Sequence, residues 1–121
     1  MSPLHYLLDE NVDPIYAGEL LDREPALVVW RIGAPGAPPK GTSDPDILIW
    51  CEAHGFILVT NNRKLMPRHL NSHLTAGRHI LGIIALNPVM SVGDTLDDLW
   101  LIAALANEIE YRDRIVYLPV S

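Results

Sequence analysis

The 121-residue sequence predicts an α/β fold, a three-layer α/β/α sandwich with a mostly parallel sheet of about five strands. Three observations lead there. Short apolar runs alternate five times with stretches of helical periodicity, with no internal repeat. Xaa-Pro pairs mark the entries to the first three helical stretches, where proline suits the first turn. The run "ILGIIAL" is apolar on both faces, as befits a central parallel strand covered on each side.

Taken in order, "LHYLL" (4–8) is the first strand, and Asp13-Pro14 opens a helix through "PIYAGELLDR". "ALVVW" (26–30) is rich in β-branched residues and gives the second strand. The eleven residues "GAPGAPPKGTS" (33–43) hold three glycines and three prolines, which rule out either regular element and mark a binding loop or flap. Asp44-Pro45 opens a second helix through "DILIWCEAH", which Gly55 can close in the left-handed conformation. "FILVT" (56–60) follows as the third strand, and Met66-Pro67 leads into the helix "PRHLNSHLTAG". "ILGIIAL" (80–86) is the fourth strand. Ser91 with Asp94 resembles a capping box for a last helix of about twenty residues, whose apolar face is Leu96, Leu99, Ile102, Ala103, Ala106 and Ile109. "RIVYLPV" (114–120) ends the chain as a strand at the sheet edge, where Pro119 is tolerated.

Length and composition fit one domain over 1–121, a compact globule with 49% apolar and 20% charged residues. No apolar run approaches the roughly 18 residues needed to cross a bilayer, so no membrane association is expected. "MSPLHYLLDEN" lacks a basic region and meets acids at once, unlike a signal peptide. The lone cysteine, Cys51, excludes an internal disulfide, reads as a small helical hydrophobe and fits a cytoplasmic location. The net charge of −6 argues against a general nucleic-acid coat. All fifteen acids, however, lie outside 53–93, a stretch that holds Arg63, Lys64, Arg68 and Arg78. Such a chain can still present one positive face.

The strand ends of a parallel sheet share one rim, and here that rim carries Asp9 and Glu10, the loop after Trp30, Asn61 and Asn62, and Asn87. Clustered carboxylates suit a hard divalent cation with oxygen ligands, and Asp9, Glu10, Asp13, Asp44 and Asp46 are the available acids. Helix capping accounts for Asp13, and either capping or ligation for Asp44. Glu10 and Asp46 read as solvated, whereas Asp9 stands at the rim with no capping task and reads as functional. His69 and His73, at i and i+4, read as an exposed polar face, since a zinc site needs a third ligand. Arg63, Lys64 and Arg68 can meet phosphates or form a solvated basic edge. No phosphate-cradling glycine loop and no nucleophilic triad is present.

With "LLDEN" closing the first strand, "SDPDIL" opening the second helix and "GFILVTNN" as the next strand, the chain resembles the PIN-like family of small bacterial proteins. These are relatives of PIN-domain ribonucleases and toxin-type nucleases. The resemblance covers most of the chain. It implies an α/β/α domain with an acidic rim pocket that binds Mg²⁺ or Mn²⁺ and hydrolyses RNA phosphodiesters. By position, Asp9 and Asp44 match two acids of that pocket, with Glu10 adjacent. The family's third motif, Val-Thr-x-Asp-x-Asp-Phe, is altered: Asn62 stands for its first aspartate, Lys64 for the second and Leu65 for the aromatic. These changes move the local charge by about three units, each worth roughly 3 kcal/mol at about 5 Å and an effective dielectric near 20, before screening.

Two functions stay open on this basis. One is a toxin-type, metal-dependent ribonuclease, weakened or inactive, in which Asp9 and Asp44 hold the metal, Asn62 orients water or substrate, and Arg63, Lys64 and Arg68 hold phosphates. The other is a non-catalytic PIN-like module that binds RNA or an antitoxin-like protein partner. A homodimer also fits the small size and the apolar final strand.

Overall fold

A computed structural model describes residues 4–107 and 109–120. Nine elements follow in the order β1 (His5–Leu8), α1 (Ile15–Arg23), β2 (Val28–Arg31), α2 (Asp44–His54), β3 (Phe56–Thr60), α3 (Met66–Thr75), β4 (Ile83–Ala85), α4 (Val92–Leu105) and β5 (Ile115–Tyr117). The five strands form one sheet in the order β2-β1-β3-β4-β5, and every neighbouring pair is parallel. Helices α1 and α4 contact each other, as do α2 and α3. Two apolar cores result: one joins Leu20 of α1 and Leu99 of α4 to Tyr6, Ile57 and Ile84. The other joins Leu48 of α2 and Leu70 of α3 to Leu7, Leu58 and Ile83. Successive strand residues alternate between the two cores, as a two-residue side-chain period requires. This is the expected three-layer α/β/α sandwich, with a sheet that is wholly parallel.

Side-chain caps start two of the four helices, α2 and α4. The N-cap of α1 is Pro14 with no side-chain cap, so the expected Asp13 cap is replaced by a turn in which Asp13 Oδ1 accepts the Ile15 N–H at 3.0 Å. The N-cap of α2 is Ser43, not Asp44: the Ser43 hydroxyl accepts the Asp46 N–H at 3.4 Å and leaves Asp44 in the first turn with no capping duty. Ser91 caps α4 through the Asp94 N–H at 3.0 Å. Gly55 closes α2 at φ +72°, in the left-handed region that glycine enters without steric cost.

Three expectations change. Helix α4 has 14 residues rather than about twenty. Asn107 ends it by accepting the Ile109 N–H on its side chain, and Ile109 lies beyond the helix and exposed. Strand β4 begins at Ile83, because Gly82 takes φ +153° where the chain passes against Tyr111. The histidine face of α3 is turned inward. His73 is 6% exposed, and its Nε2 lies 3.1 Å from Glu52 Oε1 and 3.0 Å from the His79 carbonyl. Both neighbours are acceptors, so Nε2 carries the proton. Cys51 is fully buried, and burial, reinforced by the charge of Asp9, pushes its thiol up to about 12. It is an inert core residue.

A Cβ at position 82 would meet both Cβ and the carbonyl oxygen of Tyr111 at 3.0 Å. Gly82→Ala is therefore expected to destabilise the fold by more than about 1 kcal/mol, with backbone strain and steric contact acting together. A denaturant midpoint that stays at the wild-type value would contradict this account of where β4 starts.

Candidate functional site

The strand order reverses direction at β1, because β2 lies on one side of it while β3, β4 and β5 follow on the other. In doubly wound sheets, connections that diverge at such a point leave a crevice at the carboxyl ends of the two strands. Here those strands are β1 and β3. A polar pocket of about 380 Å³ opens there, lined by Asp9, Glu10, Asn11, Thr42, Asp44, Asn61 and Asn62.

Asp9 is set by the sheet itself. Its N–H donates to the Val59 carbonyl at 2.9 Å, which extends the β1–β3 ladder one residue past the strand. The side chain then stands beside Thr60. The buried Thr60 hydroxyl donates to Asp9 Oδ2 at 2.8 Å, and the Glu10 N–H donates to Asp9 Oδ1 at 2.7 Å. Burial raises the carboxyl above its ordinary value, against the lowering effect of these two hydrogen bonds, and the charges of Asp44 and Glu10 raise it further.

Asp44 reaches the same pocket from the start of α2. Its Oδ2 accepts the Asn62 amide N–H at 3.0 Å and lies 3.5 Å from His69 Nε2. Asn62 is itself locked in place: its backbone N–H donates to Thr60 Oγ1 at 3.0 Å and its Oδ1 accepts the Leu65 N–H at 3.1 Å. Thr60 thus links Asp9 to Asn62, and Asn62 links onward to Asp44. Asn61 turns the other way around the pocket and donates to the Asn11 carbonyl at 2.9 Å. Glu10 Oε1 accepts the Gly41 N–H at 2.8 Å and so ties the 33–43 loop to the pocket mouth, where Thr42 forms part of the wall.

The structure therefore brings Asp9, Glu10, Asp44 and Asn62 together. It does not bring the basic residues to them. Arg63 points across the rim to the Leu86 carbonyl and Tyr117. Lys64 and Arg68 are exposed on the approach to α3 and in its first turn, outside the pocket lining. Thr60, Asn11 and Thr42 are pocket residues that the sequence reading did not single out, whereas Asn61 was placed on the rim by its position after β3. The signal for Thr60 was its place at the end of a buried strand, where a hydroxyl needs a partner. His69 gave no such signal, because its contact with Asp44 depends on how α2 and α3 pack.

Among the described residues, no three histidine, cysteine, aspartate or glutamate side chains converge into a metal-binding group. What the pocket offers, among the described residues, is three acids, Asp9 and Glu10 after β1 and Asp44 at the start of α2, with amide and hydroxyl neighbours and no lysine or arginine in its wall. This donor set fits a hydrated, oxygen-preferring cation held by one or two carboxylates, and does not fit a closed cage.

The raised carboxyl of Asp9 makes a signed prediction. A carboxyl with a folded-state value above its unfolded value binds its proton more tightly in the fold. Its contribution to stability is present below the unfolded value of 3.8 and is lost as pH rises through the raised value. Asp9→Asn, which keeps the shape without the charge, is expected to gain in stability relative to wild type as pH goes from about 3.5 to 7. Thermal unfolding across that range checks it, and a difference that is flat or of opposite sign would refute the assignment.

A scan against protein-family models finds no match to the chain, and searches of curated proteins and of solved structures likewise find none.

Proposed function

We propose that the chain is a PIN-like, metal-dependent ribonuclease of reduced strength, with Asp9 and Asp44 as the carboxylates that hold one Mg²⁺ or Mn²⁺. The observation that carries this reading is the convergence of Asp9 and Asp44 on one pocket whose wall contains no lysine or arginine. Three carboxylates facing a small polar space repel a phosphodiester, so an RNA backbone can enter only together with a cation. A bound Mg²⁺ or Mn²⁺ would polarise the scissile phosphate and lower the pKa of an attacking water.

The chain's own residues orient and hold. Thr60 and the Glu10 N–H fix the Asp9 carboxylate, while Asn62 and His69 fix Asp44. Each carboxylate oxygen has about two lone-pair sites, so these contacts leave room for further acceptor interactions. Asn62 contributes orientation without charge, which would weaken cation binding relative to a carboxylate at that position. Arg63, Lys64 and Arg68 lie outside the pocket wall, so they would meet only phosphates that run on beyond it.

One observation favours a second reading, a non-catalytic module that binds RNA or an antitoxin-like protein. Asn62, a neutral amide, donates to Asp44 and accepts from Leu65, so a hydrogen bond and not a further charge organises that carboxylate.

Cleavage of single-stranded RNA decides between them. The nuclease reading expects cleavage with Mn²⁺ that is abolished by chelation and in Asp9→Asn and Asp44→Asn. Thr60→Val, which removes only the hydroxyl that positions Asp9, is expected to lower activity by about tenfold to a hundredfold. Asn62→Asp combined with Lys64→Asp is expected to tighten Mn²⁺ binding by calorimetry and to raise cleavage. Wild-type protein that binds no Mn²⁺ and leaves varied RNAs intact would sink the nuclease and leave the binding module.

A further inference from the structure

Arg63 does not serve the acidic pocket. Its Nη1 donates to the Leu86 carbonyl at 3.2 Å, just past β4, and its Cζ lies 5.1 Å from the centroid of the Tyr117 ring at the end of β5. Tyr117 is 44% exposed, so the guanidinium covers part of the ring and leaves much of it open. The register explains its position. Tyr117 pairs with Ala85 and Ile115 with Ile83, and Ile83 and Ile115 belong to the core beneath α2 and α3. Tyr117 therefore emerges on that same face, at the carboxyl end of the outermost strand. Among the described residues no carboxylate forms an ion pair with Arg63. An arginine carries five N–H donors, and the Leu86 carbonyl takes one of them.

We propose that Tyr117 and Arg63 form a nucleobase subsite for single-stranded RNA, with a base stacked on the exposed tyrosine ring and the adjoining phosphate held by the guanidinium. This inference rests on the ribonuclease reading for its substrate class. The spacing suits it: β5 lies two strands from β3, about 10 Å across the sheet. Three steps of about 3.4 Å, the rise of a stacked strand, span about 10 Å and so take a strand from the β3 end of the pocket to the ring. An aromatic face accepts any base that is free of a duplex, and arginine adds both stacking and charge. The rim is then divided, with the carboxylates on the β1 side of β3 and the base-binding pair on the β4–β5 side.

Fluorescence anisotropy with a labelled single-stranded RNA octamer tests this in EDTA at low salt, where binding is read without cleavage. Tyr117→Ala is expected to weaken binding about fivefold or more, and Tyr117→Phe to stay within about twofold of wild type. Arg63→Ala is expected to weaken binding and to reduce the slope of log Kd against log salt by about one. Thermal unfolding of each variant separates loss of binding from loss of fold, and Tyr117→Phe guards against the same confusion. No binding by wild type, equal binding by Tyr117→Ala, or preference for duplex RNA would overturn the subsite. Binding that depends on Tyr117, without Mn²⁺-dependent cleavage, sinks the nuclease and leaves the subsite standing. Cleavage with an unchanged KM in Tyr117→Ala does the reverse.

Discussion

The parallel pairing of β1 with β3 is the constraint on which the site depends. The ladder runs one residue beyond β1, through the Asp9 N–H to the Val59 carbonyl, and so places Asp9 beside Thr60. From that contact the hydrogen bonds run on: Thr60 Oγ1 accepts the Asn62 N–H, and the Asn62 side-chain amide donates to Asp44 at the start of α2. Three elements far apart in the chain are fixed to one another by a buried hydroxyl and a neutral amide. Side chains alternate between faces along a strand, so a register slip of one residue would turn Thr60 away from Asp9 and undo the whole arrangement.

Electrostatics gives that arrangement its character. Burial disfavours the charged form of Asp9, and two hydrogen bonds offset the burial only in part, because Asp44 and Glu10 add repulsion. A carboxylate in place of Asn62 would deepen the repulsion among Asp9, Glu10 and Asp44. The amide does the opposite. It relieves the pocket and organises Asp44, so Asn62 lies on the side of stability.

The fold was legible because its signals are local. Apolar runs, Asp-Pro pairs and a glycine after α2 each mark an element boundary through backbone sterics or capping. The boundaries that went astray depend on distant partners: β4 starts late because Gly82 meets Tyr111, and α4 stops early at the Asn107 turn. The same division runs through the site. Asp9 could be singled out from its place after an apolar run, and Asp44 only as a choice between cap and ligand; Ser43 takes the capping role, and Asp44 accepts from Asn62 instead. The inward turn of His69 and His73 was not legible, because an i, i+4 pair defines a helical face without saying what that face meets.

The short turn after β3 ties these threads together. The Arg63 N–H donates to the Asn61 carbonyl at 2.9 Å, closing a three-residue turn whose members point to different sides of the rim. Asn61 reaches to Asn11 and Asn62 to Asp44, both on the β1 side, while Arg63 reaches to Leu86 and Tyr117 on the β4–β5 side. One turn thereby separates a negative pocket from a positive, aromatic edge. A polyanion meeting this rim is drawn to the arginine and repelled by the carboxylates until a cation neutralises them. The amides of Asn61 and Asn62 can stand at that boundary because they are neutral. A carboxylate at position 62 would bring the negative field next to Arg63 and blunt the separation.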